Sequence, residues 1–237
     1  MNILSIGNSF SQDAQRYLHR IAKADGVDIR TANLYIGGCP LSIHYRNMLS
    51  DDEAYELEIN GEGTGFRVSL KKALLSQEWD YITLQQASHF SFDYGTYQPY
   101  LMELAIYVRK HCPKAKLFIH ETWAYEENSD KLRNVGCEKA EDMYWGIHTA
   151  YEKAAEDIQA DGMILSGTLM RSLLLAGIPK VHRDTFHASF GLGRYAIGLL
   201  WYHVLTGNDV SRNTFDDFDE AVSREQIVIV KKCVDEV

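Results

Sequence analysis

Residues 3–11 read ILSIGNSFS, a largely apolar run that breaks into a polar turn. The run Ile3–Ile6 predicts a buried strand, and apolar residues at helical spacing between about Gln12 and Ala24 predict a helix directly after it. In α/β proteins, functional groups gather just beyond the carboxyl ends of the strands. Two serines and an asparagine at such a point therefore indicate either a helix cap or a catalytic group.

Short apolar runs alternate with longer helical patterns along the rest of the chain. Four further strands are predicted: Ile29–Ile36, Tyr81–Leu84, Leu117–His120 and Met163–Leu165. Five further helices are predicted: Phe66–Ser76, Pro99–His111, Glu138–Ala160, Phe190–Leu205 and Glu220–Val234. The alternation predicts one domain over residues 1–237, a three-layer α/β/α sandwich around a mainly parallel, flavodoxin-like sheet of about five strands. Residues 50–65, rich in acids and glycine, are expected to be an insertion with one short extra strand, Tyr55–Ile59.

Composition excludes several classes of protein. The net charge of -9 argues against nucleic acid or an anionic membrane as the main partner, because both are bound through basic patches. The four cysteines contain no C-x-x-C pair, which disfavours a structural zinc site and a disulfide framework. No apolar run is long enough to span a membrane, and no signal-peptide pattern precedes the first strand. We therefore expect a cytoplasmic protein, with a secreted or periplasmic one as the alternative if a signal peptide has been removed.

Polar and glycine-rich segments follow the predicted strands. The first strand ends in Gly7-Asn8-Ser9, the second in Gly37-Gly38-Cys39, and the third in Gln85-Gln86-Ala87-Ser88-His89. Near the carboxyl terminus, Asp184 precedes His187 in the segment DTFH. A hydroxyl group, a histidine with a carboxylate three residues before it, and glycine N–H groups are together the groups needed for acyl transfer.

Each of these residues also has a purely structural interpretation. Ser9 with Gln12 fits a capping box, so either serine of the turn could simply cap the helix. Glycines serve as turn residues, and Asp184 could cap a helix. Two alternative role assignments are weaker: Ser11 lies inside the start of the predicted helix, and His182 has no acid at the matching spacing.

The segments IGNSFS, NLYIGGCPLS and DTFHAS resemble the conserved blocks of the SGNH hydrolase superfamily, also called GDSL-type esterases and lipases. The resemblance extends from Ile3 to Gly207 and is most specific in the first and last segments. It implies that Ser9 is the nucleophile, His187 the base and Asp184 the acid that orients the base. It also implies that Gly38 donates its N–H to the oxyanion, and that neither a metal nor a cofactor is needed.

The third block departs from the family pattern. Where the family has glycine and asparagine, this chain reads Leu84-Gln85-Gln86-Ala87-Ser88-His89. An ungapped count from Asp80 puts His89 at the asparagine position, whereas chemical similarity favours the amide of Gln85 or Gln86. The sequence leaves these three candidates for the remaining oxyanion donor open.

The expected function is a serine esterase that removes a small acyl group, acetyl above all, from a carbohydrate. Aromatic residues near the strand ends suit stacking on sugar rings, and they equally suit a core: Tyr35, His89, Phe90, Phe92, Tyr94, Trp123 and Tyr125. The acidic net charge disfavours strongly anionic substrates.

Two alternatives compete with the esterase. The first is a module on the same fold that binds a carbohydrate or acyl ligand without turning it over. The second is a metal site made from His120, Glu121, His182, Asp184 and His187, which lacks a recognisable ligand spacing. The sequence gives no signal for an oligomeric state.

Overall fold

Seven strands form a single sheet in the computed structural model, which describes all residues from 1 to 237. The strands are β1 (Asn2–Gly7), β2 (Arg30–Tyr35), β3 (Tyr55–Ile59), β4 (Glu62–Val68), β5 (Tyr81–Leu84), β6 (Lys116–His120) and β7 (Gly162–Ile164). Their order across the sheet is β4-β3-β2-β1-β5-β6-β7. Five of the strands pair in parallel, in the order that is typical of flavodoxin-like folds: β2, β1, β5, β6 and β7. The predicted fold class is thus confirmed, with seven strands where about five were expected.

The additional strands correct the prediction for residues 50–76. Residues 62–68, where an insertion and a helix were predicted, form strand β4, which pairs antiparallel with β3 at the edge of the sheet. Asn60 and Gly61 join the two strands with φ angles of 52° and 79°. An Asn-Gly turn with both residues in the left-handed region is the commonest signal of a tight hairpin, and this signal outweighs the helical spacing after Phe66.

Ten α-helices accompany the sheet. They are α1 (Ser9–Gln15), α2 (Leu18–Ala24), α3 (Leu41–Ser50), α4 (Leu70–Leu75), α5 (Tyr100–His111), α6 (Asp130–Asn134), α7 (Ala140–Asp157), α8 (Ser166–Leu175), α9 (Leu192–Thr206) and α10 (Arg224–Asp235). The helix predicted after the first strand is therefore two short helices. The sequence analysis did not predict α3, α6 and α8.

The helices form two layers, one on each face of the sheet. Helix α9 packs against α1, α2, α8 and α10, whereas α5 packs against α3 and α4. Helix α9 is apolar around nearly its whole circumference, which fits a helix that is enclosed by four others. None of the helices combines the length and apolar character needed to cross a lipid bilayer.

The strand order reverses at β1. The next strand in the chain, β2, lies on one side of β1, and β5 lies on the other. In open parallel sheets, this reversal opens a crevice at the carboxyl ends of the strands. The turns after β1, β2 and β5 contain Ser9, Gly38 and His89, so the topology brings the three predicted segments to one edge of the sheet.

Candidate active site

Ser9 is the first residue of α1, immediately after the residue that caps the helix. Asn8 is that cap: its Oδ1 accepts a hydrogen bond from the N–H of Phe10 at 3.0 Å. The Oγ of Ser11 accepts one from the N–H of Asn8 at 3.1 Å, which completes a capping box. The predicted pairing of Ser9 with Gln12 is therefore wrong, and the role of Ser11 in the helix start is confirmed. Because a neighbour caps the helix, the hydroxyl of Ser9 is available for another partner.

The turn before Ser9 is too tight for a side chain at Gly7. A Cβ atom at this position would lie 2.3 Å from the Oγ of Ser11. The same Oγ lies 2.8 Å from the Oδ1 of Asn33 on β2, to which it can donate. Ser11 therefore ties the start of α1 to β2, and glycine at position 7 leaves room for this contact.

Ser9, His187 and Asp184 form a continuous hydrogen-bonded row. The Nε2 of His187 lies 2.8 Å from the Oγ of Ser9, and its Nδ1 lies 2.8 Å from the Oδ2 of Asp184. The N–H of His187 also donates to the Oδ1 of Asp184 at 2.9 Å, so both carboxylate oxygens are engaged. This is the arrangement of a nucleophile, a base and a group that orients the base. The structure thus brings together the three residues on which the sequence analysis concentrated.

The carboxyl group of Asp184 is set to remain ionised. Partial burial raises the pKa of Asp184, but the hydrogen bonds from His187 and the charge of Arg183 outweigh burial, and the net pKa is lower than the ordinary value. An ionised Asp184 holds the Nδ1 proton of the imidazole and leaves Nε2 free to accept a proton from Ser9.

The segment that contains His187 is a tight loop closed by backbone hydrogen bonds. The N–H of Ser189 donates to the carbonyl of Val181 at 2.8 Å, and the N–H of Arg183 donates to the carbonyl of His187 at 3.0 Å. Thr185 has a φ of 75°, which is unusual for a β-branched residue. Its carbonyl accepts a hydrogen bond from the N–H of Glu126 at 2.7 Å, so a neighbouring loop supports this conformation.

Two backbone N–H groups beside Ser9 have no hydrogen-bond partner within the protein. These are the N–H of Ser9 itself and the N–H of Gly38, and both residues line the same cleft. Gly38 has a φ of 62°, which a residue with a Cβ adopts only at a cost. The Nδ2 of Asn8 donates to the carbonyl of Cys39 at 3.2 Å and so ties the turn after β2 to the start of α1.

The third block provides two residues of the cleft lining, Ser88 and His89. Neither Gln85 nor Gln86 lines the cleft: the Nε2 of Gln85 donates to Asn8 at 2.8 Å, and that of Gln86 donates to the carbonyl of Thr96 at 3.1 Å. His89 does line it. Burial lowers the pKa of His89, and the charge of Lys131 lowers it further, so the ring is neutral over a wider pH range than an ordinary histidine. Of the three predicted candidates, only His89 thus lines the cleft.

The cleft around Ser9 and His187 has a volume of about 410 Å³. Four aromatic rings contribute to its wall: Phe10, Tyr35, Tyr125 and Phe186. Two of these, Tyr35 and Tyr125, were predicted from the sequence. In contrast, Trp123 is fully buried and donates its indole N–H to the carbonyl of Phe186 at 2.7 Å, so it supports the cleft from behind.

The residues of the alternative metal site do not converge. The Nδ1 of His120 contacts Gln85 at 2.6 Å, and its Nε2 contacts Ser166 at 3.0 Å. Glu121 instead contacts His148 at 2.8 Å. Across residues 1–237, no group of three or more histidine, cysteine, aspartate or glutamate side chains is placed to hold a metal ion.

Two functional candidates were missed in the sequence. Asp13 is fully buried on α1, where it accepts hydrogen bonds from Arg183 and Arg194. An acid within the apolar stripe of an amphipathic helix was the signal for such a buried pair. Lys131 lines the cleft from α6, a short helix that no sequence pattern marked.

A family model described as a domain of unknown function, DUF4886, matches residues 2–235 of the sequence. The chain belongs to the DUF4886 family. The crystal structure of a DUF4886 protein from Bacteroides uniformis is similar over 100% of this chain and 93% of its own, with 32% sequence identity and a TM-score of 0.92. A comparison with curated proteins gave no match.

The DUF4886 fold is also that of SGNH hydrolases. A candidate SGNH hydrolase from Slackia heliotrinireducens shares 22% identity, with a TM-score of 0.62, over 86% of this chain and 98% of its own. The acetylxylan esterase Axe2 from Geobacillus stearothermophilus shares 14% identity, with a TM-score of 0.56, over 90% and 97% of the two chains. The resemblance stated from the sequence is thus confirmed for the fold.

Proposed function

We propose that this DUF4886 protein is a serine esterase that hydrolyses small acyl esters through an acyl intermediate on Ser9. The observation that carries the proposal is the hydrogen-bonded row in which His187 contacts Ser9 and Asp184, each at 2.8 Å. A serine hydroxyl is a weak nucleophile unless a neighbouring base removes its proton, and this row supplies both the base and its orienting acid.

The first half of the reaction transfers the acyl group. As the Oγ of Ser9 attacks the ester carbonyl, its proton passes to the Nε2 of His187, and Asp184 stabilises the resulting imidazolium. The unpartnered N–H groups of Ser9 and Gly38 donate to the oxyanion, with the neutral ring of His89 as the third donor. The intermediate then collapses: the bond to the alcohol oxygen breaks, and the alcohol leaves with the proton from Nε2.

The second half releases the acyl group by the same proton transfers. Water attacks the acyl-serine while His187 takes one of its protons. Collapse of the second intermediate returns that proton to the Oγ of Ser9 and releases a carboxylic acid. The chain's own residues therefore account for each proton of the cycle.

The proposed substrate is a carbohydrate that carries a small ester, such as acetyl. The partly exposed rings of Tyr35 and Phe186 give the cleft apolar surface that suits the faces of sugar rings, and the buried rings of Phe10 and Tyr125 lie behind that surface. A cleft of about 410 Å³ has room for a small acyl group and a sugar unit, in the range typical of small-molecule sites. The similar fold of an acetylxylan esterase is compatible with this substrate class.

Two measurements on the intact protein test the esterase. We expect turnover of 4-nitrophenyl acetate, and we expect a fluorophosphonate probe to label Ser9, identified by mass spectrometry. Ser9→Ala should abolish both. Ser11→Ala is the matched control: its hydroxyl serves the helix start, so the variant should lose thermal stability but keep the labelling of Ser9.

The outcomes separate the esterase from its competitors. A wild-type protein that neither turns over esters nor reacts with the probe would support the binding module instead. Undiminished turnover by Ser9→Ala would refute the assignment of the nucleophile. Loss of activity on addition of a chelator would favour a metal-dependent mechanism.

A further inference from the structure

The cleft around Ser9 has a charge opposite to that of the whole protein. The chain has a net charge of -9, yet the lining of the cleft contains Lys131 and Arg183 and no aspartate or glutamate. Asp184 contacts the Nδ1 of His187 at 2.8 Å, whereas Ser9 contacts the Nε2 of the same ring. The net charge of the chain therefore does not describe the charge of the cleft, because no acid of this protein is part of its lining.

Of the two cations in the lining, Lys131 is the one without a carboxylate partner. Arg183 is neutralised by the buried Asp13, at 2.9 Å from one of its oxygens. The Nζ of Lys131 instead lies 4.2 Å from the centre of the Phe186 ring, a cation–π contact, and 6.0 Å from that of Tyr125. An ammonium group held over aromatic rings keeps its charge and its three donors available to a ligand.

Lys131 contacts the residue that precedes the proposed base. The ring of Phe186, on which its ammonium rests, lies 3.8 Å from the ring of His187, centre to centre. The charge of Lys131 also contributes, after burial, to the lowered pKa of His89, which lines the same cleft. A ligand atom between Ser9 and these rings is therefore within the field of one uncompensated positive charge.

We infer that the ester hydrolysed at Ser9 carries a negatively charged group, a carboxylate, and that Lys131 binds it. This inference rests on the proposed function and specifies its substrate. A carboxylate paired with Lys131 gains an ion pair without displacing an existing partner. A second carboxylate in the wall would repel it, and the wall contains none.

Matched ester pairs test the inference. The carboxylate can belong to the alcohol, as in 4-acetoxybenzoate, or to the acyl group, as in monomethyl succinate. Each has a neutral counterpart of nearly the same shape, 4-acetoxybenzamide and methyl succinamate. We expect kcat/KM to favour one carboxylate over its amide by about fivefold to tenfold at low salt, the size of one partly screened charge pair. The pair that shows the preference identifies the side of the ester on which the charge lies.

Variants then assign the preference to Lys131. Lys131→Gln should bring the ratio of the two kcat/KM values close to one, and Lys131→Glu should reverse it. Lys153 provides the matched control: its Nζ also lies over a tyrosine ring, 4.8 Å from the centre of Tyr94, but it is exposed on α7 outside the cleft. Lys153→Gln should leave the ratio at its wild-type value. Added salt should reduce the wild-type ratio.

The outcomes keep this inference separate from the proposed function. If the neutral esters are hydrolysed and both carboxylates are no better, the protein is an esterase but the inference is wrong. The inference is equally wrong if Lys131→Gln retains the preference. If no ester is hydrolysed and Ser9 is not labelled by fluorophosphonate, the proposed function fails, and the charge preference fails with it.

Discussion

The fully buried carboxylate of Asp13 faces Arg183, whose Nη1 lies 2.9 Å and 3.0 Å from its two oxygens. Asp13 also accepts hydrogen bonds from the Nε of Arg194 at 2.8 Å and from the N–H of Ala188 at 3.1 Å. Asp13 lies one helical turn after Ser9, and Arg183 and Ala188 flank the Asp184–His187 segment. One buried acid therefore joins the helix of the proposed nucleophile to the loop of the proposed base.

Removal of this charge should displace the base from the nucleophile. We expect Asp13→Asn to lower the free energy of unfolding by about 3–5 kcal/mol, because it leaves two arginines without their buried partner. It should also lower kcat with little change in KM. Asp219→Asn is the control, since Asp219 pairs with Arg194 and Arg16 but not with the loop. Equal losses of kcat in both variants would mean that Asp13 only stabilises the fold.

We expect Asp184 to fix the tautomer of His187 and to contribute little to the stability of the fold. In Asp184→Asn, the amide oxygen can still accept the N–H of His187, but the amide nitrogen donates toward Nδ1 and moves the ring proton to Nε2. We expect kcat to fall by about 10³- to 10⁴-fold, with the melting temperature nearly unchanged. Steady-state kinetics and thermal unfolding of the same sample test both statements. A small kinetic effect would argue against Asp184 as the orienting acid.

Gly38 allows a test of the oxyanion site by a single methyl group. A Cβ at Gly38 would meet no atom within 4 Å, so Gly38→Ala acts only through its φ of 62° and should cost about 1–2 kcal/mol. If the backbone shifts to relieve this strain, its N–H moves away from the oxyanion and kcat falls. Gly26→Ala is matched, with a φ of 71° and equally open surroundings at the end of α2. It should show the same loss of stability and full activity.

His89 should be the third oxyanion donor. We expect His89→Ala to lower kcat by about 10²-fold, the lower end of the loss seen when one such donor is removed. His89→Asn, which keeps an N–H donor, should recover part of that loss. The comparison of kcat in the two variants is the test, and equal activities of wild type and His89→Ala would exclude the role.

Two buried histidines make the protein sensitive to acid. Burial lowers the pKa of His44 and of His120 to about 3, whereas both titrate at the ordinary value of about 6.5 once the chain unfolds. Below that value the unfolded chain binds protons that the folded protein does not, so stability falls as the pH falls. We expect the free energy of unfolding, measured with urea at a series of pH values, to depend less on pH in a His44→Gln, His120→Gln double variant than in the wild type. Parallel curves for the two proteins would contradict this.

The sequence predicted those parts of the site whose geometry is determined within a single segment of the chain. Gly7-Asn8-Ser9 and the Asp184–His187 spacing each fix a local geometry, and both segments lie where the parallel sheet was expected to place them. The third block could not be resolved, because whether Gln85, Gln86 or His89 faces the cleft depends on partners such as Asn8 and Thr96 on other segments.

The same reason explains what was missed in the fold. Helix α6 has only five residues, too few for a periodic pattern, and its Lys131 enters the cleft through tertiary packing alone. The β3–β4 hairpin, in contrast, carried a readable signal in Asn60-Gly61 that the helical spacing after Phe66 obscured.

The hydrogen bond between Ser9 and His187 joins residues 178 positions apart. During synthesis, the proposed nucleophile Ser9 leaves the ribosome with the first strand, whereas the proposed base His187 follows only after most of the chain has been made. A nascent or truncated chain that ends before residue 187 therefore has the serine without the means to activate it. In the proposed mechanism Ser9 is therefore unreactive until residues 184–187 have been added to the fold, so reactivity toward a fluorophosphonate would report on completed folding.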